Sequence, residues 1–144
     1  MTTEIFADGA CMNNGQPNAI GAWAAIIRHN GVTRRGWGPL TREKLGYPVT
    51  NNVAEMLAIK YGLQQVPAGI SDVYVYSDSQ YPINALNGKN KSRANRQIVQ
   101  DIQALVQGRG WFVHWSWVRG HAGHPENEEC DRLARRELKR IMAL

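Results

Sequence analysis

The stretch Ala19–Gly38, AIGAWAAIIRHNGVTRRGWG, decides how the chain starts to fold. Two strand-like runs meet at Asn30-Gly31, a pair that tolerates the positive φ angles of a tight hairpin turn. Just upstream, TEIFADGACMNNG opens with alternating apolar residues and then turns polar and glycine-containing, which predicts a strand ending near Asp8. The chain therefore begins with three antiparallel strands. PLTREKLGYPV reads as a loop. In TNNVAEMLAIKYGLQQVP the period changes: Met56, Ile59, Leu63 and Val66 recur at helical spacing, Thr50 to Asn52 offer caps, and Pro67 lies past the end.

The second half alternates. SDVYVYSDSQY is a β-rich run, a central strand ending near Asp78. NALNGKNKSRANR is polar and basic, a loop after one short helical turn. QIVQDIQALVQGRG is a helix with Ile98, Ile102, Leu105 and Val106 on one face and Gly108 near its end. WFVHWSWV is a further strand. PENEECDRLARRELKRIMAL is the last helix, with Pro125 suited to its first turn, acids early and bases late. Strand, helix, strand alternation implies right-handed crossovers and parallel pairing. The expectation is one α/β domain, 1–144, with a mixed sheet covered by helices.

Composition narrows the class. A chain of 144 residues, 43% hydrophobic and with five Trp, can bury one core, which excludes disorder. A net charge of +5 favours a polyanionic partner. Cys11 and Cys130 form no CxxC pair, so free thiols in a reducing compartment are expected. No segment approaches the roughly 18 apolar residues that span a bilayer, and the N-terminus has no basic leader or apolar run. A soluble, cytoplasmic protein is the expectation.

Four acids stand at the ends of elements. Asp8 ends the first strand, Glu55 sits early in the first helix, Asp78 ends the fourth strand and Asp131 lies early in the last helix. If the first and fourth strands are neighbours, Asp8 and Asp78 lie side by side at the carboxyl ends, where α/β sheets bind ligands. Carboxylates held that close repel, and a hard divalent cation such as Mg²⁺ relieves the repulsion. Two such cations suit phosphodiester cleavage. Plain structural readings stand beside this one. Asp8-Gly9 is a common turn, Glu55 follows Asn52 at capping-box spacing, Asp78-Ser79 can cap a turn, and Asp131 can pair with Arg135 four residues on. His121 and His124 lack a matching Cys/His pair for structural zinc. His124 reads as solvent-exposed, while His121, beside two glycines, can serve as a mobile proton carrier.

IFADGACMNN, TNNVAEMLA, YSDSQY and WVRGHAGHPENEECDRLAR together resemble ribonuclease H of type 1, in the family's order and over nearly the whole chain. The resemblance implies a ribonuclease H-like fold: a five-stranded mixed sheet, three antiparallel strands then two parallel ones, flanked by helices. It implies endonucleolytic cleavage of the RNA strand of RNA–DNA hybrids with two Mg²⁺ ions, or Mn²⁺ as substitute, leaving 5′-phosphate and 3′-hydroxyl ends. By resemblance Asp8, Glu55, Asp78 and Asp131 match the metal-binding carboxylates, His121 the mobile histidine, and Glu128 a helper acid. Gly9, Cys11, Asn14, Asn51, Asn52 and Gln80 match positions that touch the minor groove or the RNA strand, where the 2′-hydroxyl distinguishes RNA. Thr50 matches a residue holding a DNA-strand phosphate, and Trp115 one that contacts the DNA strand. Trp117, two residues on, is expected in the core.

The sequence also departs from the family. Many bacterial members carry a long basic protrusion with Trp after DSQY. Here PINALNGKNKSRANRQ is short, with Lys89, Lys91, Arg93 and Arg96 and no Trp. Weaker hybrid affinity follows, or compensation by Arg34, Arg35, Arg42 or a partner. The loop after the first strand has fewer glycines than usual, and Pro48 stands where some relatives place an arginine for phosphate. A non-catalytic hybrid-binding module, another nuclease of the superfamily and the nuclease part of a reverse transcriptase are the alternatives. The intact carboxylates, the GHAGHPENEECD block, and Met1 closely followed by the first strand favour a stand-alone, monomeric hybrid-specific ribonuclease.

Overall fold

A computed structural model of the chain describes residues 2–88, 95–119 and 124–143. The elements are β1 (Thr2–Met12), β2 (Ile20–His29), β3 (Val32–Thr41), α1 (Arg42–Leu45), α2 (Asn51–Gln64), β4 (Asp72–Ser77), α3 (Gln80–Leu86), α4 (Arg96–Arg109), β5 (Phe112–Trp117) and α5 (Pro125–Met142). The strands form one sheet in the order β3-β2-β1-β4-β5. β1, β2 and β3 pair antiparallel, whereas β4 lies parallel to β1 and β5 parallel to β4. The hairpin turns at Asn30 (φ 51°) and Gly31 (φ 76°), as the Asn-Gly pair requires.

Two elements differ from the sequence reading. β1 does not stop at Asp8 but runs on to Met12, because β2 stays paired with it from Ala24 opposite Asp8 to Ile20 opposite Met12. The segment PLTREKLGYPV is not all loop. Pro39 to Thr41 complete β3, and Thr41 caps the short helix α1 by accepting the Lys44 N–H, with Gly46 (φ 83°) closing it.

Helices cover the sheet unequally. One face carries the larger core, built from Ile5, Ala25, Ile27, Val73 and Val75 of the strands with α2, Ile83 and Leu86 of α3, and Ile98 and Ile102 of α4. The other is a smaller cluster in which Phe6, Ala24 and Ile26 meet Cys130, Leu133 and Ala134 of α5. α2 is buried on almost every side, from Val53 to Ile59 and again at Gly62 and Leu63, rather than along one apolar stripe. It is the central helix, with the sheet beneath it and α4 and α3 against it. The last β1–β4 register pair is Ala7 opposite Ser77. Asp8 and Asp78 are therefore the next residues on two adjacent parallel strands, at their shared carboxyl edge.

Candidate active site

The approach of α2 to β1 builds the centre. A Cβ added to Gly9 would lie 2.4 Å from the Ala54 carbonyl carbon and 2.6 Å from the Glu55 nitrogen. Only glycine lets the strand press on the helix backbone this closely. That approach brings Glu55 to Asp8. The Gly9 N–H donates to Asp8 Oδ1 at 2.9 Å and to Glu55 Oε1 at 2.7 Å. Thr50, not Asn52, caps α2 by accepting the Val53 N–H at 3.1 Å. Glu55 thus lies outside a capping box and is free to face the sheet.

Asp8, Glu55 and Asp78 each place a carboxylate oxygen within 4.8 Å of the others. Asp8 is 4% exposed and Glu55 9%. Glu55 Oε2 is buried without a hydrogen bond. Burial raises the Asp8 carboxyl far above the usual carboxylate range, and the adjacent Glu55, Asp78 and Asp131 add to the shift. Burial likewise raises Glu55, although hydrogen bonds to Asp8 and Gly9 oppose it. Without a counter-charge the pair keeps a proton. A buried, orphaned carboxylate oxygen beside two more carboxylates is a donor set for a hard divalent cation, so the residues fit such an ion.

Asp131 lies on α5 and stands outside that group. Its two oxygens face Arg135 Nε at 2.9 and 3.0 Å, the helical pairing that the four-residue spacing offers. Glu128 is in the first turn of the same helix. Glu126 and Glu129 pair with Arg28 of β2 and Arg35 of β3, strands that α5 covers. His121 lies outside the described residues.

The RNase H family profile matches residues 1–139. The ribonuclease H of Chelativorans sp. (strain BNC1) is 39% identical over 143 residues, covering 92% of this chain and 82% of the relative. That of Campylobacter concisus (strain 13826) is 36% identical over 143 residues, covering 95% and 92%. The solved structure of LC11-RNase H1 in complex with an RNA/DNA hybrid is similar in fold, with a TM-score of 0.80 at 17% identity, covering 97% of this chain and 99% of that one.

The chain belongs to the ribonuclease H family.

It is a hydrolase of the endonuclease class. Asn14 Oδ1 accepts the Asn51 N–H at 2.8 Å, and the Gly15 N–H reaches the Val49 carbonyl at 3.1 Å. The thiol of Cys11 points at the same carbonyl from 3.7 Å. The β1–β2 loop is thereby tied to the start of α2, which gathers Cys11, Asn14, Thr50 and Asn51 in one place. Asn52 and Gln80 are exposed at the starts of α2 and α3. Trp115 is half-buried against the larger core.

Trp117 corrects the sequence reading: it is 43% exposed rather than core. It ends β5, an edge strand, opposite Ser77, and its indole N–H donates to the Asp78 carbonyl at 3.1 Å. The indole thus fixes the backbone that carries a carboxylate of the centre. Strand register shows this role; spacing in the sequence does not. The segment between α3 and α4 is residues 87–95, and Lys89, Lys91 and Arg93 fall outside the described residues. Of the compensating cations, Arg35 is engaged by Glu129, whereas Arg34 is exposed.

Proposed function

We propose that this ribonuclease H hydrolyses the RNA strand of RNA–DNA hybrids internally, with two divalent cations, Mg²⁺ or Mn²⁺, held by Asp8, Glu55, Asp78 and Asp131. The observation that carries the reading is the group Asp8, Glu55 and Asp78 around the orphaned Oε2 of Glu55. Bound there, divalent cations supply positive charge for the attacking and leaving oxygens of a phosphodiester. The products would carry 5′-phosphate and 3′-hydroxyl ends. The Gly9 N–H keeps Asp8 and Glu55 oriented, and Trp117 holds the Asp78 backbone. His121 would carry the proton, with Glu128 as helper acid.

The hybrid itself is supported by the relatives' names and by the hybrid bound to LC11-RNase H1. Gly9, Cys11, Asn14, Thr50, Asn51, Asn52 and Gln80 would meet the minor groove and backbone, and Trp115 the DNA strand. Short polar groups at the start of α2 suit the 2′-hydroxyl. The unit of action would be one domain, 1–144, working as a cytoplasmic monomer. Among the described residues no helix is long and apolar enough to cross a membrane.

One labelled strand in RNA–DNA, RNA–RNA and DNA–DNA duplexes, each with Mg²⁺, Mn²⁺ or EDTA, tests the reading. Metal-dependent internal cuts confined to the RNA of the hybrid are expected. Binding without cuts in either metal would leave a hybrid-binding module, and cuts in DNA another nuclease.

A further inference from the structure

Asp131 is the fourth carboxylate of the centre, yet it stands apart from the other three. Arg135 Nε lies 2.9 Å from one Asp131 oxygen and 3.0 Å from the other. A single N–H facing both oxygens fills the mouth of the carboxylate. The same lone pairs would bind a cation, so guanidinium and metal cannot both hold that mouth. We infer that Arg135 is a positioning residue for the metal centre: it holds Asp131 while the cation is absent and gives it up when the cation arrives. The inference rests on the proposed carboxylate centre and concerns only its fourth member.

Exposure makes the exchange reversible. The Arg135 side chain is 68% exposed and that of Asp131 32%, so the guanidinium has open solvent to swing into. A helical pair exposed to this degree is weak and screened by salt. The pair also senses the charge of the centre. Asp131 adds to the field that keeps a proton on Asp8, and Asp8 in turn acts on Arg135. An anionic, empty centre draws Arg135 in, and a cation-filled one repels it. The arginine therefore spares the empty centre a fourth unopposed carboxylate. It also makes the cation that uses Asp131 the weaker and more exchangeable one.

The test is a double-mutant cycle read by metal binding rather than by cleavage. The full chain, free of nucleic acid, is titrated with Mn²⁺ by calorimetry, with free ion counted by electron paramagnetic resonance. R135Q should bind the weaker ion about threefold more tightly, the scale of an exposed charge-assisted pair. D131N should bind it poorly, and adding R135Q to D131N should change nothing further. R136Q removes a cation of the same helix that lies 5.3 Å over the Trp37 ring, away from Asp131, and should leave the affinity unchanged. Equal binding by R135Q and the native chain overturns the inference. So does a tightening that persists in D131N or recurs in R136Q, because net charge alone would then account for it. If D8N binds Mn²⁺ as the native chain does, the carboxylate centre itself fails and Arg135 loses its role with it; that outcome is read from a different variant.

Discussion

The two helices that bring carboxylates to the carboxyl edge of the sheet are built in opposite ways. α2 is buried on nearly all sides and meets β1 closely at Ala54, over Gly9, and at Gly62, over Ile5. Its carboxylate, Glu55, is held by a backbone N–H and sealed from water. α5 is amphipathic. It buries Cys130, Leu133 and Ala134 and turns a row of arginines to solvent. Its carboxylate, Asp131, is half-buried and, among the described residues, held by Arg135 on the same helix. The difference teaches that one side of the centre is fixed by backbone contact, where a single methyl group matters. The other is set by an exposed ion pair, where substitution adjusts affinity.

The largest effect should come from breaking the fixed side. Gly9→Ala places a methyl group within 2.4 Å of the α2 backbone, which cannot give way as a flexible side chain would. β1 and α2 must separate, at a cost of about 1–3 kcal/mol for overpacking. A shift near 1 Å between Asp8 and Glu55 lowers cleavage about 100-fold or more. Circular dichroism and hybrid cleavage check both effects. A Gly9→Ala enzyme with native rate and native melting temperature would show that the close approach is not needed.

The next effect concerns charge on the fixed side. The folded Asp8–Glu55 pair keeps a proton that the unfolded chain has lost above about pH 4. The native state then binds more protons than the unfolded state, so stability falls as pH rises from there through neutrality. In EDTA the melting temperature of the native chain should decline between about pH 5 and pH 8, and excess Mg²⁺ should flatten the decline. Asp8→Asn removes the carboxyl that must take up a proton to be buried. It should abolish cleavage while raising the metal-free melting temperature at pH 8 by about 3 °C or more, equivalent to about 1 kcal/mol. Retained turnover sinks the assignment of Asp8, and a flat native curve in EDTA sinks the account of its burial. No comparable gain is expected from Asp131→Asn, since Asp131 is half-buried and already opposed by Arg135.

How far the sequence reveals this contrast depends on which physical signal each part leaves. The Asn30-Gly31 turn, the change of period at α2 and the late basic helix α5 are local signals, and they fix the order of elements. The adjacency of Asp8 and Asp78 follows once β1 and β4 are neighbours. Propensity could not show where β1 ends, because pairing with β2 carries it on to Met12 after the alternation has faded. Nor did apolar spacing show that α2 is central, since periodicity reports one face and α2 has none to spare. Thr41 capping α1 is legible only in hindsight. The plain i to i+4 pairing of Asp131 with Arg135 proved to be present, and a carboxylate can hold that pair in an empty centre and still face the site.

The smallest effect tests how the edge strand supports the fixed side. Trp117 shares a side of the sheet with Trp115 and is expected in the core, yet it ends β5, the last strand of the sheet among the described residues, and its ring is open to solvent. What it contributes is one hydrogen bond, from the indole N–H to the Asp78 carbonyl at 3.1 Å. Trp117→Phe keeps an aromatic ring and removes the donor. A neutral hydrogen bond at a part-exposed site contributes about 0.5–1.5 kcal/mol, so the backbone at Asp78 loosens rather than unfolds. Cleavage should fall about threefold to tenfold, with a melting temperature within about 3 °C of native. A Trp117→Phe enzyme that keeps its full rate would show that the turn after β4 holds Asp78 by itself. A far larger loss, accompanied by weaker hybrid binding, would mean that the ring touches substrate and would move Trp117 from the support of the centre to its surface.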